Sequence, residues 1–176
     1  MFSPSEIDKK KAYLTMILSW DEICASTEIM SNVANNSDGL LSYFRSFRHL
    51  VISLSNLSDN INFIEKTLNE AGFEGASIAT LRKELEFIRH IRNKGVAHLD
   101  NQLIEKSVQW QPMLFNTRIK GEVVPTTIFA NIATLELAIN SYVNNCGEHK
   151  VFSTVIDFVY PPDFKEVTNC MVSISQ

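Results

Sequence analysis

Apolar residues recur at steps of four and three through the first half of the chain, at Leu50, Leu54, Leu57, Ile61, Ile64 and Leu68. That period belongs to one face of an α helix, and it predicts a long helix from about Leu40 to Glu70. Phe44, Phe47, Val51 and Ile52 make the first half of this helix apolar on other sides as well. A helix of that kind sits in the middle of a bundle or at a dimer interface. An earlier helix is predicted from Ser5, with Glu6 in its first turn, to about Asn36, where "NVANNSDG" supplies turn formers. Gly72 and Gly75 stop the second helix, and a third starts near Ser77. The segment Leu103 to Val124 carries no clear period: "TRIKGEVV" reads as a small hairpin turning at Lys120-Gly121 or as loop. Pro125 suits the first turn of a fourth helix, with Ile128, Ile132, Leu135, Ile139 and Tyr142 as its stripe and Gly147 as its end. "VFSTVIDFVY" fits strand or helix, and a last short helix is predicted from Asp163 to about Met171. The pattern predicts an all-α bundle of four to five helices, in one domain over residues 1–176.

Composition narrows the classes. The chain is 45% hydrophobic and 20% charged, with a formal net charge of −4 and a pI near 5.6. An acidic balance argues against a generic nucleic-acid coat, although a local basic site is compatible with it. Cys24, Cys146 and Cys170 are odd in number and widely spaced, so neither a disulfide framework nor a zinc site is expected. The four histidines show no metal-ligand spacing, and no glycine-rich phosphate loop or G-x-S-x-G is present. No metal or cofactor is expected. Lys9 to Lys11 precede an apolar run as in a signal peptide, but Thr15 and Ser19 interrupt the run and Asp21-Glu22 close it. With no apolar run near the roughly 20 residues of a membrane span, a soluble cytoplasmic protein is expected.

The informative stretch is "FIRHIRNKGVAHLD", Phe87 to Asp100. At about 100° per residue, Leu81, Leu85, Ile88, Gly95 and Leu99 share one side of the third helix, and Arg92 falls in their centre. His98 falls on the flank extended by Phe87 and Ile91, while Arg82, Glu86, His90, Asn93 and Asp100 face away. An arginine in a core stripe is costly unless acceptors meet it. One explanation is an ion pair with Asp59, Glu65 or Glu136; another is that the side chain snorkels outward. A third is a site. Arg92, Gly95 and His98 follow one ridge, and glycine costs about 1 kcal/mol in a helix interior relative to alanine. Its presence marks either helix termination or access for something lying over the backbone. A phosphate suits the arginine's planar fork, histidine exchanges protons near neutral pH, and Lys94 adds charge. That set is a kit for metal-free RNA cleavage, with the ribose 2′-OH as nucleophile.

"RNKGVAH" matches the R-x(4–6)-H motif of HEPN domains, with the polar Asn93 directly after the arginine, and "IRNKGVAHLD" resembles the abortive-infection branch of that family. The resemblance covers about Leu40 to Asp100 by pattern and the motif by identity. It implies a dimerising helical bundle. It also implies a metal-independent endoribonuclease of the toxin or phage-defence type, with Arg92 and His98 of two subunits meeting in a shared cleft. Asn93 would support them, and Lys94 and Gly95 would contact RNA. An antitoxin partner would fit the same resemblance. Other HEPN proteins lack catalysis and bind a nucleotide or a protein partner. One subgroup carries a tyrosine two residues after the histidine; here that position is Asp100, and its mechanism is not carried over. In "RSFRHL", Arg45, Arg48 and His49 read as a solvated helix face with one or two ion pairs, or as the wall of an RNA groove. Trp20 and Trp110 read as core or packing residues.

Overall fold

The computed structural model describes residues 4–34, 36–70, 72, 78–96, 100–110 and 123–175. The chain is all-α. Among the described residues there are seven α helices: α1 (Pro4–Ser31), α2 (Ser37–Asp59), α3 (Ile61–Glu70), α4 (Ile78–Ile91), α5 (Asn101–Trp110), α6 (Val123–Asn140) and α7 (Pro161–Ile174). A single π-helical turn, Arg92–Val96, continues α4. No helix among the described residues is long and apolar enough to cross a membrane.

Helix α2 is the hub. Asn36 starts it, its side-chain oxygen accepting from the Gly39 N–H at 2.8 Å. Its several apolar faces are used within one chain: it packs against α1, α4, α6 and the π turn. Tyr43, Phe44, Phe47, Leu50, Val51 and Leu54 are all buried. Each large side chain taken from water contributes about 1.5–3 kcal/mol. Of the residues that make α2 apolar on several sides, Phe44, Phe47 and Val51 are core, while Ile52 is exposed. The single long helix expected over Leu40–Glu70 is two helices. Asn60 breaks it: its backbone N–H bonds Leu57 O and Ser58 O, its side chain donates to Asn56 O, and its own carbonyl accepts from Phe63 and Ile64. Asparagine competes for backbone partners in this way, and one residue suffices to end α2 and start α3.

The count of helices thus exceeds the four to five expected, through this break and through α5. Asn101–Trp110 is helical where the sequence shows no clear period, and α6 begins at Val123, before Pro125. The hairpin expected at "TRIKGEVV" falls, apart from the two valines that open α6, outside the described residues. Helix α6 ends at Asn140, earlier than Gly147. Gly147 instead sits in a tight turn at φ +83°, a conformation open to glycine, between the isolated bridge partners Val143 and His149.

The β-branched stretch after Val151 forms neither helix nor strand, yet Phe152, Ile156 and Phe158 are buried. Side chains of α6 replace a partner strand. Asn140 both donates to Ile156 O and accepts from Ile156 N, each at 2.8 Å, and Glu136 Oε1 accepts from Phe158 N at 2.6 Å. Phe158 then meets Phe44 edge-on at 5.7 Å. Pro161 opens α7, which runs a turn longer at its C-terminal end than expected. Helix α1 lies along α2 and leaves its outer side apolar: Tyr13, Leu14, Leu18 and Trp20 are exposed. Trp20, at 55% exposure, is not a core residue as expected. The side chain of Trp110 is outside the described set.

Leucines of identical chemistry test this partition. Leu50 is 0% exposed and Leu18 is 61% exposed. Leu50→Ala is expected to lower stability by about 2–5 kcal/mol. Leu18→Ala is expected to change it by about 0.5 kcal/mol or less. Urea denaturation of the two variants measures both.

Candidate functional site

Helix α4 delivers the motif. Leu85, Phe87, Ile88 and Ile91 are buried and seat it on the core. At Arg92 the helix widens into the π turn, which packs against α2 and α6. Gly95 is buried there. A Cβ on it would stand 3.0 Å from the Ala138 Cβ and 3.3 Å from the Thr134 carbonyl oxygen. What lies over the glycine backbone is therefore α6 and not a ligand. On that side Gly95 does not open space for a substrate: it permits the close approach of two helices. The wider turn, at roughly 80° per residue, also spreads the side chains that an α-helical wheel stacks in one ridge.

Arg92 is half-buried. Its Nε is sealed from solvent and has no hydrogen-bond partner among the described residues. The three carboxylates expected as its ion-pair candidates are all engaged elsewhere. Asp59 pairs with Arg89 and Glu65 with Arg82, while Glu136 accepts from the Phe158 backbone. None makes an ion pair with Arg92. Buried, unpaired donors of this kind are uncommon in folded chains and call for a specific explanation.

Asn93 is exposed. Lys94 turns to α5, where its Nζ lies 2.6 Å from Asp100 Oδ2. Asp100 also accepts from the Gln102 N–H at 2.9 Å, and its own N–H reaches the Lys94 carbonyl at 3.2 Å. Lys94 is thus committed to a carboxylate. Beside it lies a cavity of about 220 Å³ bounded by Asp100, Lys106, Leu137, Asn140 and Ser141. His98, like Ala97 and Leu99, lies outside the described residues. Among the described residues no cluster of histidine, cysteine and acidic side chains is placed to hold a metal ion.

Two residues have more structure around them than the sequence suggests. His90, expected on the wet face, is half-buried against Tyr142, the rings 4.9 Å apart. Its Nε2 lies 2.9 Å from Ser141 Oγ and 3.2 Å from the Ala138 carbonyl. A carbonyl only accepts, so Nε2 carries the proton. Burial holds the His90 pKa below its ordinary value, and the Lys94 and Lys150 charges push the same way against the Ala138 hydrogen bond. Arg48 is half-buried too, its Nε donating to Asn131 Oδ1 at 2.8 Å and its terminal nitrogen 3.5 Å from Thr134 Oγ1. Burial lowers its pKa from the usual arginine value. Of the other basic residues in "RSFRHL", His49 stands 3.1 Å from Glu22 on the surface, as an ion-paired helix face would have it.

These contacts share a platform. Asn131, Thr134 and Ala138 of α6, with Ser141 directly after its end, follow steps of three, four and three, one face of the helix. Arg48 docks on the first two, Gly95 on the middle two, and His90 on the last two. Fold and site together define an all-α bundle that brings Arg48 of α2, His90 of α4 and the Gly95 backbone of the π turn onto one ridge of α6. Compared with family models, with curated proteins and with solved structures, the chain matches none of them.

Two outcomes are expected. Gly95→Ala lowers stability by about 1 kcal/mol or more despite alanine's better helix propensity, because rigid backbone opposes the new Cβ. Adding Ala138→Gly recovers part of that loss, and a double-mutant cycle measures the coupling at about 0.5 kcal/mol or above. Glu136 supplies a pH test. Burial raises its pKa to about 7, with Asp157 adding to the shift and the Phe158 N–H opposing it. The folded chain holds a proton that the unfolded chain releases near pH 4.5, so this group's contribution is present below that pH and lost as pH rises through about 7. Glu136→Gln is expected to raise the melting temperature relative to wild type more at pH 8 than at pH 5.

Proposed function

We propose that the chain is a HEPN-like, metal-independent endoribonuclease whose site is built around Arg92 and His98. The observation that carries this reading is Arg92 itself, half-buried with a sealed Nε and with every candidate carboxylate pairing elsewhere. A guanidinium held in that way favours an anion supplied from outside the chain. In the proposed reaction the ribose 2′-oxygen bonds to the adjacent phosphorus and the 5′-oxygen leaves. His98 moves a proton from the nucleophile or to the leaving group, and Arg92 stabilises charge on the phosphorane oxygens. Asn93, exposed beside Arg92, is available to a bound strand. The same reading carries a homodimer in which two motif turns share a cleft, an antitoxin partner and a cytoplasmic setting.

A second reading, a non-catalytic module that binds a nucleotide, has its own support in the 220 Å³ cavity next to Lys94, whose rim offers Asp100, Asn140 and Ser141 as polar groups.

RNA cleavage in EDTA separates them. Wild-type protein with total RNA and tRNA is expected to cleave. Arg92→Ala and His98→Ala are each expected to fall by about 10²-fold or more while staying folded. No cleavage of any RNA by the wild type would reject the nuclease and leave the nucleotide module. Cleavage that persists in both variants would reject Arg92 and His98 as the site. Sedimentation at equilibrium checks the dimer, which predicts twice the chain mass.

A further inference from the structure

Helix α1 is apolar on two sides. Ala12, Ser19, Ile23, Ser26 and Met30 are buried on the side turned to the bundle, where α1 packs against α2 and α7. At about 100° per residue, Ile7, Lys10, Leu14, Ile17, Asp21 and Cys24 fall on the opposite side, at alternating steps of three and four. All six are exposed, and the apolar ones strongly so: Ile7 at 41%, Leu14 at 57% and Ile17 at 46%. That spacing is the seam along which one helix packs on another. Tyr13 and Trp20 flank it on one side, also exposed, and Leu18 lies on the rim of the other, where truncation costs little.

The order of charges along the seam selects its partner. Read backwards, the seam complements itself. Against a second copy running antiparallel, with the two-fold axis midway between Leu14 and Ile17, Leu14 faces Ile17, Lys10 faces Asp21 and Ile7 faces Cys24. Each pairing occurs twice, as a two-fold interface requires. A parallel copy would instead set Lys10 on Lys10 and Asp21 on Asp21, and like charges repel. At roughly 200 Å² for a large apolar side chain, the exposures of Ile7, Tyr13, Leu14, Ile17 and Trp20 leave about 500 Å² per copy to cover. A stable complex covers about 800 Å² per partner, so this area suits a weaker contact that forms as concentration rises.

We infer that the outer face of α1 is an antiparallel, self-complementary docking surface for a second copy of this chain. The inference does not rest on the nuclease reading. Helix α1 packs on α2 and α7, whereas the π turn packs on α2, α4 and α6, so the surface is separate from the motif cleft.

Disulfide trapping tests the pairing and its direction. Cys24 and Cys146 are the exposed thiols among the described residues, and a Cys146→Ser background leaves Cys24. Adding Ile7→Cys places the second thiol about 25 Å from Cys24 along the same helix, far beyond the roughly 7 Å that a disulfide spans, so any link between the two joins different copies. Mild oxidation of this variant is expected to give a covalent dimer on a non-reducing gel. The background alone, and the background with Ile29→Cys, are expected to stay monomeric on the gel. Leu14→Lys added to the trapping variant is expected to lower the yield about tenfold while the melting temperature holds. Lys10→Asp or Asp21→Lys alone is expected to lower it by about the same factor, and the two together to recover it, because each reversed charge again meets its opposite. Arg92→Ala is expected to leave the yield unchanged, so failure of the nuclease reading and failure of this one are seen separately. No covalent dimer with Ile7→Cys, or an equal yield with Ile29→Cys, overturns the inference. So does a dimer in the background alone, since Cys24 would then meet Cys24 in a parallel pair. A double charge reversal that stays as weak as the single ones overturns it too.

Discussion

The contact on which the rest of the structure depends is the approach of one helical turn to another at Gly95. A backbone can lie this close to α6 only where no Cβ intervenes, and the facing residue is the small Ala138. That approach sets the π turn into the angle between α2 and α6. It also decides where the flanking side chains go. Lys94 is turned to Asp100, Asn93 to solvent, and Arg92 into a half-buried place with an unpartnered Nε. The geometry of packing and the arrangement of charge are here one fact seen from two sides.

Electrostatics around the turn are sorted by partner. The outer arginines of α4, Arg82 and Arg89, take carboxylates on α3 and at the end of α2, where the pairs are partly wet and contribute little to stability. The inner bases differ. Arg48 and His90 meet only neutral or backbone groups, and the Arg92 Nε meets none among the described residues. On a chain whose net charge is −4, a row of bases on one helix ridge is a local departure from the whole.

Much of the fold is legible in the sequence because helical periodicity survives without knowledge of neighbours. Leu50, Leu54 and Ile61 read correctly as core, and the surplus of apolar residues on α2 correctly announces a helix with several partners. What does not read are features decided by tertiary contact. Asn60 looks like any polar residue in a stripe until its carbonyl is seen to start α3. The segment around Ile156 has strand composition, but the groups that satisfy its backbone are the side chains of Glu136 and Asn140, which no local window joins to it. Arg92 is visible as an anomaly in its stripe, and its unpaired Nε follows from which bases Asp59 and Glu65 meet in space. Gly95 stands out by its helix cost, but only the fold shows that a helix, and not a substrate, fills the space above it. His90 reads as a wet-face residue because Ser141 and Tyr142, fifty residues on, leave no trace in its neighbourhood.

The ridge on α6 has a further property. Because Asn131, Thr134, Ala138 and Ser141 face one way only while the helix between them stays regular, they act as marks on a ruler with about 1.5 Å per residue, some 15 Å from first to last. Removing or adding one residue inside that span would rotate the marks beyond it by about 100° and carry either Arg48 or His90 off the face that holds Gly95. Substitutions on the outer side of α6 leave the ruler intact, whereas its length between Asn131 and Ser141 is fixed by three docked elements at once. In this chain the helix that carries none of the motif is the one whose register a change in length would disturb most.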